Sequence, residues 1–257
     1  MRKYEAEYGR FLSVDRLWEK YNLHSTYNYS ANNPLIIIDP SGLAAWEIKN
    51  QWNDDYIERY RKFVKYQAEM YKKSGKEFTC EDLALQIVID FSSQNNLPLK
   101  IRNGKGVFNA ASDNFNSALD FSNAVLLTTG ARDLQNADNS ISINISSSNI
   151  GDFLLLRNEN GVAHHTQLIT SITEFGVGRE INIHQGNSGW LNAPYIGGAL
   201  GGANPTSLFY TGQKVEQGII DTQGNYSNLT NVIFTPNYLY KENVESRKWN
   251  FLGWNKK

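Results

Sequence analysis

The sequence predicts an α+β domain in which N-terminal helices, one of them buried and central, pack on an antiparallel sheet. Three observations predict it. Helical periodicity is confined to the stretch from Asp54 to Phe121, strand-like patterning dominates from Asp152 onward, and a chain of 257 residues can bury a substantial core without covalent staples. Helices first and strands later is the order of an α+β fold, because a parallel α/β sheet would alternate the two.

Taken in order, residues 54–73 carry Tyr56, Tyr60, Phe63, Val64 and Tyr71 at helical spacing and stop at Ser74-Gly75, which predicts an amphipathic helix. The next run, from Thr79 through Cys80 and Leu83 to Phe91, is apolar nearly all round, as a helix buried between layers must be. Thr79 and Asp82 have the spacing of a capping box for it, and Asn95-Asn96-Leu97-Pro98 ends it. A weaker helical pattern covers 112–121. Strands are expected over 152–157, 165–172, 180–184, 208–211 and 232–234. The alternation Ser140 to Ser146 reads either as an edge strand or as a surface loop. Gly197 to Gly202 lacks the ending and setting of a phosphate loop and reads as a flexible rim. The aromatics of Arg247 to Trp254 read as a packed C-terminus.

The totals narrow the function. A net charge of −1 leaves no electrostatic footprint for nucleic acid, and no apolar stretch approaches the ~20 residues that span a bilayer. Cys80 is the single cysteine, so no internal disulfide forms, and a lone thiol points to folding in a reducing cytoplasm. Met1-Arg2-Lys3-Tyr4-Glu5 leads into no apolar segment like that of a cleaved leader.

Residues 1–43 differ from the rest, being rich in Tyr, Asn and Pro, with turn signals at Asn32-Asn33-Pro34 and Asp39-Pro40-Ser41-Gly42. Together with Tyr8-Gly9-Arg10-Phe11-Leu12-Ser13-Val14-Asp15-Arg16-Leu17 and Tyr27-Asn28-Tyr29, these motifs resemble the end of an Rhs-repeat-associated core. The resemblance implies that 1–43 close a β-rich shell and that 44–257 are a variable cargo domain, often a toxin. It implies self-cleavage between Leu43 and Ala44 with Asp39 as the acidic group. With nearly all of the shell absent from the sequence, Asp39-Pro40-Ser41-Gly42 is read here as a β-turn.

The chemistry-bearing residues are Cys80 at the mouth of its apolar helix and the segment Gly161-Val162-Ala163-His164-His165-Thr166-Gln167-Leu168. A thiolate attacks an amide carbonyl, an imidazole takes and returns the proton, and a third polar group orients the ring. A helix that opens on cysteine, then Ile150-Gly151-Asp152-Phe153-Leu154-Leu155-Leu156, then a strand opened by histidine, resembles the papain-like and NlpC/P60-like cysteine hydrolases. The resemblance implies their fold, Cys80 as nucleophile and His165 as base. His184 in Asn182-Ile183-His184 or Asn187 in Gln185-Gly186-Asn187 would be the third member; the two stay open. His164 and His165 lie on opposite faces of a strand, so only one meets the thiol. Against this stands the blander reading of Cys80 as a small buried hydrophobe and of each histidine as a hydrogen-bonded structural residue. Glu81 and Asp82 oppose a thiolate. An exposed helix N-terminus offsets them by only roughly 0.3 to 1 kcal/mol, so a histidinium partner is required.

Ala163-His164-His165 also resembles the Ala-His-His core of HNH-type toxin nucleases, which implies a metal-dependent nuclease. The even balance of acidic and basic residues beyond residue 43 argues against DNA. No other metal-ligand spacing appears, since His24 lies in the 1–43 segment and no cysteine pair exists, and no cofactor is implied. A non-enzymatic binding domain is the third reading. The resemblances imply an antibacterial effector, made in the bacterial cytoplasm and delivered by a specialised secretion system. Its partners would be the Rhs shell, a cognate immunity protein and a peptidoglycan or protein substrate.

Overall fold

The computed structural model describes residues 4–5, 10–11, 44–112, 114–176, 178–190 and 210–256. Asp39, Leu43 and the glycine-rich 197–202 segment lie outside the described residues. At the N-terminus, β1 (Tyr4–Glu5) pairs with β2 (Arg10–Phe11).

The first helix, α1 (Asp54–Ser74), starts where the Asn53 side chain accepts from the Tyr56 amide at 3.0 Å and ends at Gly75 in the left-handed region, φ 68°. Asp54 and Asp55 in its first turn and Lys72 and Lys73 in its last complement the helix dipole. Tyr60, Val64 and Ala68 recur every four residues and form its buried stripe. A two-residue strand, β3 (Glu77–Phe78), leads to α2 (Asp82–Gln94), whose Leu83, Leu85, Ile87, Val88, Ile89 and Phe91 are all buried. This is the central helix expected from its apolar composition.

A hairpin of β4 (Lys100–Asn103) and β5 (Gly106–Asn109) follows, then α3 (Ala118–Leu126), capped by Ser117 accepting from Asp120 N at 3.1 Å. The weak periodicity from Ser112 had placed this helix about six residues early. The remaining strands are β6 (Ser140–Ile143), β7 (Phe153–Arg157), β8 (Ala163–Phe175), β9 (Gly178–Gln185), β10 (Ser188–Trp190), β11 (Tyr210–Lys214), β12 (Glu216–Ile220), β13 (Tyr226–Asn228), β14 (Ile233–Thr235) and β15 (Asn243–Trp249). Two short helices, α4 (Tyr238–Lys241) and α5 (Phe251–Trp254), flank β15.

Eight strands form one antiparallel sheet in the order β14-β13-β12-β9-β8-β7-β15-β6, which makes Ser140–Ile143 an edge strand. Alternation along β7 divides two cores. Phe153 and Leu155, with Leu168 of β8, face α2, whereas Leu154 and Leu156 join Ile169, Ile181, Ile183 and Tyr226 on the other face. The described chain is therefore mixed helix and sheet, with α1 and α2 on one face of the antiparallel sheet and the short α4 packed on the other. The C-terminus packs as its aromatics suggest: Trp52 stacks on Phe251 at 4.1 Å, and Asn255 bonds the Trp52 backbone on both sides at 2.8 Å. No helix among the described residues is long and apolar enough to cross a membrane.

Candidate functional site

One corner of the fold gathers the start of α2, the start of β8 and the end of β9. Two glycines permit it. A Cβ on Gly186 would sit 2.1 Å from the Thr79 carbonyl oxygen, and one on Gly212 would sit 2.7 Å from the Phe78 backbone. With β11 paired to β3 through Gln213 and Phe78, residues 78–80 are pressed against the sheet.

Cys80 consequently lies in a turn ahead of the helix, not in its first turn. The cap is Glu81, without any side-chain cap hydrogen bond, and the first helical residue is Asp82. The expected capping role of Thr79 is thus corrected: the cap lies two residues on, at Glu81, and the buried Thr79 Oγ1 has no well-aligned hydrogen-bond partner.

Cys80 is buried, 5% exposed. It donates to Glu81 Oε2 at 2.7 Å and lies 4.0 Å from the His164 carbonyl oxygen. Burial pushes the Cys80 thiol well above its ordinary value, the Glu81 charge and hydrogen bond add to that, and the Thr166 backbone amide works the other way. Glu81 is itself pushed up, first by burial. Asp82 rises to about 7 through burial and the neighbouring Glu81, and its Oδ1 is buried without a hydrogen bond. Both carboxylates line a cleft of about 840 Å³ with Thr79, Lys105, Arg132 and Asp133.

His164 carbonyl and Thr166 amide flank His165 in the chain, so the sulfur rests on the backbone of β8 at His165. His164 is the extra residue of a β-bulge, since Leu156 pairs with His165 and Arg157 with Ala163; its side chain is exposed. The His165 ring leaves on the Leu156 face and is held by Nε2, 2.9 Å from Gln185 Oε1. Burial is the main cause of its lowered pKa, which leaves the imidazole neutral. Among the described residues the thiol gives its hydrogen bond to Glu81 and none joins sulfur to this ring.

Neither His184 nor Asn187 meets the His165 ring among the described contacts. His184 points to the helix face, where Nδ1 meets Thr170 Oγ1 at 2.8 Å and Nε2 approaches Glu69 Oε1 at 3.1 Å without hydrogen-bond alignment; burial pushes it down to about 4. Asn187 donates to Glu216 Oε2 at 2.6 Å and does not reach His165. Gln185, between them, touches the ring. Sequence reasoning passed over it, although strand alternation puts residue 185 on the Ile181 and Ile183 face, the side that Leu156 and His165 share.

Gln185 belongs to a larger polar network. Its Oε1 accepts from Gln167 Nε2 at 2.8 Å as well as from His165, and its Nε2 donates to Glu216 Oε2 at 3.1 Å. Glu216 accepts from Asn187, Asn228 and Asn231 also, and Tyr238 OH donates to Gln167 Oε1 at 2.9 Å. Among the described residues no group of three or more His, Cys, Asp or Glu side chains converges to hold a metal ion.

No protein-family model, curated protein or solved structure matches this chain.

Proposed function

We propose that residues 44–257 are the cargo domain of an Rhs-type antibacterial effector. In this reading the domain is a papain-like or NlpC/P60-like cysteine hydrolase that cuts amide bonds, and 1–43 are the end of the Rhs core. One observation carries the enzymatic part: the only thiol rests on the strand backbone at His165, and that imidazole is oriented through Nε2 by an amide oxygen of the adjacent strand. An imidazole so held keeps Nδ1 as its free nitrogen, the base a thiol nucleophile uses, on the sheet face opposite α2.

The described arrangement is then a resting state in which thiol and imidazole are both uncharged. For reaction, thiol and ring, which lie at β8 on opposite faces of the sheet, have to come to one side; the Cys80 proton then passes to His165 Nδ1, and the sulfur attacks the amide carbonyl. His165 returns the proton to the leaving amine, and water releases the acyl group by the reverse steps. Gln185 holds the ring in the resting arrangement. The substrate is an amide of peptidoglycan peptide or of a cytosolic protein, and delivery into a rival cell through a secretion system, with an immunity protein protecting the producer, follows from the Rhs resemblance.

The test is the toxicity of the chain in a susceptible bacterium, read beside amide release from purified peptidoglycan. Cys80→Ala, Cys80→Ser and His165→Ala should each abolish both. Full toxicity in Cys80→Ala with loss on chelation would instead favour the HNH-type nuclease, and toxicity indifferent to all three substitutions a binding domain.

A further inference from the structure

The network behind His165 has a direction, and one residue imposes it. Gln185 and Gln167 can each turn their amide by half a rotation, exchanging donor for acceptor, and the hydroxyls of Tyr226 and Tyr238 can donate or accept. None of these four has a fixed polarity. Glu216 has: its Oε2 receives three side-chain amide donors and so only accepts. It is buried, lies beside no cation in the described structure, and is satisfied by amide donors from Gln185, Asn187, Asn228 and Asn231. Gln185 must therefore present its NH₂ to Glu216 and its oxygen to the other side. That oxygen obliges His165 to carry its proton on Nε2 and Gln167 to turn its own NH₂ inward, which leaves the Gln167 oxygen for the Tyr238 hydroxyl.

We infer that Glu216, two hydrogen bonds away, is the positioning residue that locks His165 as the Nε2–H tautomer with a bare Nδ1. Its catalytic consequence rests on the hydrolase reading; its structural part does not. Reversal of the Gln185 amide would present a donor to His165 Nε2 and drive the proton to Nδ1. The ring would then carry a donor at Nδ1 where a general base needs an acceptor. Glu216 so acts on the reaction without touching substrate.

The experiment is a long-range ¹H–¹⁵N correlation spectrum of the full chain with ¹⁵N-labelled histidine. There are four histidines, and His165→Ala identifies the resonances of interest. In the native chain His165 should show a protonated Nε2 and a bare Nδ1. Glu216→Gln keeps the shape but removes the fixed polarity, so His165 should become a mixture of both tautomers, with kcat lowered about tenfold and KM little changed. A native His165 protonated on Nδ1, or an unchanged single tautomer in Glu216→Gln, overturns the inference. Should Glu216→Gln not fold, Gln185→Met in its place removes the acceptor and should give the same mixture. If the tautomer responds as stated while His165→Ala retains full hydrolysis, the hydrolase reading falls and the network stands. If His165→Ala is inactive and the tautomer does not respond, the reverse holds.

Discussion

His165 Nε2 lies 2.9 Å from Gln185 Oε1, across the pairing of β8 with β9. That contact orients the imidazole from the adjacent strand, and the sulfur of Cys80 meets the backbone of the same strand from the opposite face, at the start of α2.

Gln185 should therefore behave as an orienting residue. On the proposed hydrolase reading, Gln185→Leu is expected to lower kcat about 10-fold to 100-fold, leaving KM nearly unchanged and circular dichroism native, while Gln185→Asn recovers part of the loss. Amide release from a peptidoglycan peptide measures it. A Gln185→Leu enzyme as fast as the native one, beside an inactive Cys80→Ala, would exclude the role.

Glu81 should restrain the thiol. Burial is the largest cause of the raised Cys80 pKa and the Glu81 carboxylate the next, so Glu81→Gln removes part of the shift. Alkylation by iodoacetamide at pH 8 should quicken by on the order of threefold to tenfold, with its pH midpoint moved down. A midpoint that stays put would mean the 2.7 Å contact does not govern the thiol.

Asp82 should make the protein less stable as pH rises from 4 to 7. Its folded pKa of about 7 exceeds its ordinary 3.8, so across that window the folded state holds more protons than the unfolded one, and stability falls with pH. Asp82→Asn should flatten the decline by on the order of 2 kcal/mol, discounted for partial solvation. Urea midpoints at pH 4.5 and 7.5, compared between the two proteins, give the answer. Equal slopes would contradict the shift.

Gly151 should tolerate no side chain. Its φ of 88° is left-handed, and a Cβ there would lie 2.7 Å from Tyr60 Cε1. Tyr60 is buried and accepts from Trp249 Nε1 at 3.0 Å, so it has little room to yield. Gly151→Ala is expected to destabilise by about 2–4 kcal/mol. Gly104→Ala, which meets nothing within 4 Å, should stay within about 0.5 kcal/mol. Chemical denaturation distinguishes them.

Much of the scaffold is written in short-range pattern. The stripe of Tyr60 and Val64 ending at Gly75, the all-round apolar Leu83 to Phe91, and the apolar run Phe153 to Leu156 are each legible because side-chain period follows backbone geometry within one element. Strand β15 was not legible. Residues 243–246 drew no strand expectation and Arg247 to Trp254 was read only as a packed C-terminus, yet β15 lies between β7 and β6 with Arg247 buried, since Ser140, Gln135 and Glu245 supply the acceptors for its guanidinium.

The candidate site divides the same way. The sequence by itself singled out Cys80, the His164-His165 pair and the neighbourhood of residues 184–187, because a unique thiol and clustered imidazoles are visible as residue types. Which of these groups touch was decided by tertiary structure alone. Strand register set His165 opposite Leu156 and beside Gln185, turned His184 to the helix face, and delivered Asn187 to Glu216. A hydrogen bond depends on distance and direction between segments remote in the chain, and no local periodicity encodes either.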